Sequence, residues 1–134
     1  MTKKIYMRHK NDCYTCCLAM ILGLEYEQVP RLFDDDNIPV GEGYQREVEK
    51  FLNSVGYQLV VVNSSLELLN HLQGLIIVTG LSPNPEFASR GMYHATVYLD
   101  GKLWCDPKSE SPEGFIIPDQ VDLLIPIRKL TYGD

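Results

Sequence analysis

The stretch NDCYTCCLAMILGL, Asn11 to Leu24, crowds three of the chain's four cysteines into the opening of an apolar run. Asn11 or Asp12 can cap a helix from Cys13 to Leu22, and Gly23 supplies the stop. Cys17, Met20, Ile21 and Leu24 fall on one face of that helix, which makes Cys17 core filler, with Cys16 a candidate to join it. Cys13 differs. It sits in the first turn, where free backbone N–H groups and the helix dipole favour a thiolate, and Arg8 and Lys10 add positive charge just upstream. That is a position suited to a nucleophile.

Two other uses of the cysteines fit less well. Cys13 and Cys16 form a CxxC, but structural zinc needs a second ligand pair, and Cys105, His9, His71 and His94 are scattered. A redox CxxC follows a strand, whereas the segment before Cys13 is short and polar. No metal and no cofactor are expected. The acidic run Asp34 to Asp36 reads as a solvated loop.

Outward from this helix, 134 residues with 45% hydrophobic and 22% charged side chains fit one domain, 1–134, with a real core. A net charge of −6 argues against a nucleic-acid partner or an anionic membrane surface. No apolar run approaches the ~20 residues of a membrane span, so no membrane insertion is expected. No apolar stretch follows the N-terminal lysines as in a secretory signal. A cytoplasmic location is the expectation, with the cysteines reduced.

EYEQVPRLF, residues 25–33, reads as a short second helix. Val48, Phe51, Leu52 and Val55 share a helical face that ends at Gly56. YQLVVV is a strand. Ser64 and Glu67 form a capping box for a helix through LELLNHL. LIIVTG is a buried strand, and a polar loop with Pro83 and Pro85 follows. MYHATVYLDGKLWCDP is a hairpin, and DLLIPI is a last strand placed at a sheet edge by Pro126. Helices first and an antiparallel sheet later make an α+β fold.

A cysteine nucleophile needs a base, and the base needs a residue to orient it. His71 reads as solvated and His9 as part of the basic arm. His94 lies inside a strand. A three-residue hairpin loop, Leu99 to Gly101, sets Tyr98 opposite Lys102 and His94 opposite Asp106. One face then carries Ala95, Val97, Leu103 and Cys105, and the other His94, Thr96, Trp104 and Asp106. A two-residue loop would separate His94 from Asp106. The carboxylate would fix the imidazole tautomer and stabilise the imidazolium of a thiolate–imidazolium pair.

In order, DCYTCCLAMILGLEYEQVP, GLSP and HATVYLDGKLWCDP resemble the papain-like bacteriocin-processing peptidases, which cleave leaders after a double glycine. They are closer still to small stand-alone phage and bacterial proteins of that fold. The resemblance implies a papain-like cysteine peptidase fold, with N-terminal helices packed on a C-terminal antiparallel sheet. It implies Cys13 as nucleophile, His94 as base and Asp106 as orienting acid, with Cys17 structural and Cys16 replacing a small residue. Gly80, Ser82 and Trp104 become substrate-loop candidates. The processing peptidases carry an oxyanion-binding glutamine about six positions before the nucleophile. Here Met7 holds that place, so the Cys13 N–H, Asn11 or His9 must serve.

The expected function is a thiol hydrolase cleaving a peptide, isopeptide or related amide bond in a peptide or protein substrate. The alternatives are a papain-like module that grips a peptide or protein without cutting it, and an acyl transferase on the same residues.

Overall fold

The computed structural model describes residues 2–63, 66–108 and 118–128. Helix α1 spans Cys13–Leu22 and ends where Gly23 takes up the left-handed conformation, φ 67°. Tyr14 through Met20 are all buried, so the helix is enclosed on every side rather than amphipathic. That is why its sequence is apolar all round.

EYEQVPRLF does not form the expected helix. A single 3₁₀ turn, Tyr26–Gln28, is followed by Val29 in an extended conformation (φ −105°, ψ 134°). Pro30 explains the change: its ring disfavours helical backbone at the preceding residue, and it brings no N–H to a helix. The Pro30 carbonyl instead accepts from the Thr15 hydroxyl of α1 at 2.9 Å.

Helix α2, Tyr44–Ser54, buries Val48 and Leu52 against the core. Val55 is not on the buried face; it caps the helix and is 41% exposed. Strand β1 (Tyr57–Asn63), helix α3 (Leu66–Leu69), strand β2 (Leu75–Leu81) and helix α4 (Pro85–Ala88) follow, then strands β3 (Tyr93–Leu99), β4 (Lys102–Cys105) and β5 (Gln120–Pro126). The expected Ser64 cap lies outside the described residues. The loop with Pro83 and Pro85 holds the short α4, with Asn84 capping it through the Glu86 N–H.

The sheet is antiparallel throughout, in the order β1-β5-β2-β3-β4. The architecture is α+β. β5 is not an edge strand: it lies between β1 and β2. Pro126 is tolerated because β2 pairs only with residues 120–122 of β5, so the far end of β5 has a partner on one side alone.

One sheet face, with Ile77, Ala95, Val97 and Cys105, packs under α1 and α2. Ile76, Val78 and Val121 pack with Leu69 of α3 in a second cluster. These residues alternate with the first set along β2, which places them on the opposite face.

Candidate active site

The hairpin brings His94 and Asp106 to one face as expected, but in a different register and not directly opposite each other. Its loop has two residues, Asp100 and Gly101, both with positive φ (51° and 83°), as a type I′ turn requires. Leu99 therefore faces Lys102 and Tyr98 faces Leu103. The register then slips, and Val97 faces Cys105, leaving Trp104 as the extra residue. The slip restores the side-chain parity that a two-residue loop would have lost. Two placements are corrected by it. Leu103 is 42% exposed instead of core, and Trp104 packs against the core cluster that holds Ala95 and Val97.

His94 and Asp106 are both buried, and His94 Nε2 lies 2.7 Å from Asp106 Oδ1. The same oxygen accepts the Lys108 N–H at 2.9 Å, so the turn after β4 holds the carboxylate. With Nε2 committed to Asp106, Nδ1 is the nitrogen left to serve Cys13, which lines the same cavity. Burial alone would lower the His94 pKa, but Asp106 and Cys13 outweigh it and raise it to about 10. Burial opposes ionisation of Asp106 too, yet His94 and the Lys108 N–H hold its pKa below the ordinary value. Both directions describe one ion pair.

Cys13 opens α1 and is half-buried. The other cysteines are fully buried or nearly so, and burial pushes the Cys16, Cys17 and Cys105 thiols up. The N-cap residue, Asp12, turns away from the helix start. Its Oδ2 accepts the Arg8 and His9 N–H groups, both at 3.1 Å, and the Tyr26 hydroxyl at 2.7 Å, and no cap bond forms. The first-turn N–H groups, that of Cys13 among them, are left without a capping side chain.

The oxyanion candidates fare unequally. The Asn11 amide donates to Asp34 O and to Asn37 Oδ1, each at 2.7 Å, which occupies both of its N–H bonds. His9 is exposed and lines a cavity together with Met7 and His94. The Met7 N–H donates to Pro107 O at 2.7 Å, which fixes residue 7 beside the Asp106 turn.

Of the substrate-loop candidates, Gly80 pairs with His94 across β2 and β3. Ser82 is buried and lines the cavities on both sides of His94. Trp104 lines neither; the Lys4 ammonium lies 5.4 Å from its ring centroid. Nor does Arg8 reach the site, since it pairs with Glu27 at 2.5 Å and stacks on Tyr26 at 4.2 Å.

The cavity at Cys13 has a volume of about 420 Å³ and an aromatic wall that the sequence did not mark out. Tyr44 meets Tyr14 edge-on (6.0 Å between centroids) and stacks on Phe33 (5.9 Å). Beneath it the buried Asp122 accepts from the Tyr14 hydroxyl at 2.6 Å and from Gln120 Nε2 at 2.9 Å. Burial raises the pKa values of Asp122 and Tyr14. Thr79 Oγ1, buried in the same wall, has no hydrogen-bond partner among the described residues. The available signal was Asp122 itself, a carboxylate opening an apolar strand.

Among the described residues no cluster of three or more His, Cys, Asp or Glu could hold a metal, and no helix is long and apolar enough to cross a membrane. Comparison with protein-family models, curated proteins and solved structures found no match.

Proposed function

We propose that the chain is a thiol hydrolase of papain-like type that cleaves an amide bond in a peptide or protein. The observation that carries this reading is the convergence on one cavity wall of Cys13, at a helix start, and His94, 81 residues downstream in sequence and bonded to the buried Asp106. The Cys13 thiolate attacks the carbonyl carbon, and the oxyanion takes the Cys13 N–H. Imidazolium His94 gives its proton to the leaving nitrogen as the C–N bond breaks. Neutral His94 then takes a proton from water, whose hydroxide opens the thioester, releases the acid and regenerates the thiolate–imidazolium pair. Asp106 holds the ring and its charge throughout.

An activity-based thiol probe followed by mass mapping tests this. Labelling is expected at Cys13 in folded protein and should fall when His94 becomes Ala. Labelling of Cys13 no faster than in unfolded protein would overturn the reading.

A second reading, a module that grips a peptide without cutting it, is favoured by one observation. Met7 has no side-chain donor and the Asn11 amide is already occupied, so the oxyanion has few partners. Turnover by the wild type against none by Cys13→Ala separates the two.

A further inference from the structure

Beside the aromatic cavity lies a second one, of about 260 Å³. The two share Lys10, Ser82, Phe87 and His94 as lining residues. Their common wall is a cation–π contact from the N-terminal arm to α4, with Lys10 Nζ 5.9 Å from the Phe87 centroid. The two cavities are therefore lobes of one cleft that meet at His94. They differ in chemistry. Cys13 lines only the first lobe, with Tyr14, Phe33 and Tyr44. Lys108 and His9 line only the second, Lys10 lines both, and among the described residues no carboxylate lines the second. In a chain of net charge −6, a lobe lined by two ammonium groups, with no acid lining it among the described residues, is a local reversal of sign. Neither Lys10 nor Lys108 has an ion-pair partner among the described residues.

The chemistry of amide cleavage orients a substrate in this cleft, and here the argument rests on the hydrolase reading. The attacked carbonyl must lie over Cys13, so the acyl side occupies the aromatic lobe. The leaving nitrogen must receive its proton from His94, so the amine side extends into the lobe that His94 shares and Cys13 does not. We infer that the substrate is a peptide with an apolar residue on the acyl side and a carboxylate on the leaving side, held by Lys10 and Lys108. The carboxylate belongs either to an acidic side chain or to the peptide's own C-terminus. Opposite charges brought together in a partly enclosed lobe favour this class over neutral peptides.

Three tetrapeptides carrying an uncharged fluorophore on the N-terminus test the inference by anisotropy on the Cys13→Ala protein. Each reads Ala-Ala-Leu and then ends in Glu with an amidated terminus, Gln with an amidated terminus, or Gln with a free terminus. At least one carboxylate-bearing peptide should bind about tenfold more tightly than the neutral one. The difference should shrink with added salt and vanish in Lys10→Ala/Lys108→Ala, whose circular dichroism reports whether the fold is kept. Preference for the Glu amide identifies a side-chain carboxylate, and preference for the free Gln a terminal one. Equal affinity for all three peptides overturns the inference, whether or not the wild type cleaves any of them. A retained carboxylate preference with no cleavage by the wild type overturns the hydrolase reading and leaves the selectivity standing.

Discussion

The 2.7 Å bond between His94 Nε2 and Asp106 Oδ1 spans a diagonal of the β3–β4 hairpin, not a rung. Continuing the pairing of Val97 with Cys105 sets Asp106 opposite Thr96, two residues from His94 on the same side. Two-residue turn and one-residue slip together keep the two side chains on one face. The imidazole is thus held by a carboxylate that is itself held by Lys108 N–H.

That arrangement predicts unequal effects of substitution. Asp106→Asn keeps an oxygen to accept from the ring and from Lys108, so the fold and the ring orientation should survive. It loses the charge that stabilises the imidazolium, and turnover should fall, by less than in a variant that lacks the ring. On the hydrolase reading, His94→Ala removes the proton shuttle and should cost ~10³-fold. Steady-state kinetics on the three proteins check the order. Full wild-type turnover in Asp106→Asn would reduce Asp106 to a turn former before Pro107.

The cysteines should separate cleanly by reactivity. Cys16 and Cys17 are 0% exposed and Cys105 is 4% exposed, and burial raises all three thiols. Differential alkylation with mass mapping should label Cys13 in the folded protein and the other three only on unfolding. Labelling of Cys17 at native conditions would mean that α1 opens locally.

Stability should depend on pH through the same pair. The ordinary histidine pKa is 6.5 and that of His94 in the folded chain is about 10, so the folded state holds its proton more tightly. Its contribution is complete below pH 6.5 and is lost as pH rises through about 10. Asp106 has the opposite sign: its depressed pKa stabilises the fold above the ordinary aspartate value of 3.8, and that contribution is lost as pH falls through the folded value. The difference in denaturation free energy between wild type and His94→Gln should therefore narrow between pH 6.5 and 10, by an amount on the order of a few kcal/mol. A difference constant across that range would show that the imidazole is not held as a cation.

Much of this site was legible in local sequence, and the exceptions have physical causes. The α1 limits follow from a helical apolar run closed by Gly23, and both are local signals. The hairpin partners were also legible, because His94 and Asp106 are close in sequence and joined by a turn. The loop length was not, since a bulge at Trp104 compensates for it and no local residue announces a bulge. The place of β5 was misjudged because strand order is a long-range property, and Pro126 mimics an edge. The aromatic wall was invisible for a like reason: Tyr14, Phe33 and Tyr44 come from separate segments and meet only through packing.

The oxyanion site yields the sharpest prediction. Residue 7 is fixed by its N–H bond to Pro107 O, and its side chain lines the lobe shared with His94. Methionine offers no N–H there, and the Asn11 amide has none to spare. On the papain-like reading proposed above, a glutamine would stand at this distance before the nucleophile. Met7→Gln should raise the turnover of a cleavable peptide about tenfold, because a donor aimed at developing negative charge acts on the transition state. Alkylation of Cys13 should change little, since alkylation forms no oxyanion. Measured on one preparation, a gain in turnover without a gain in alkylation identifies the missing donor. No gain in turnover would mean that the Cys13 N–H and His9 already satisfy the oxyanion, or that the cleft holds its peptide without cutting it.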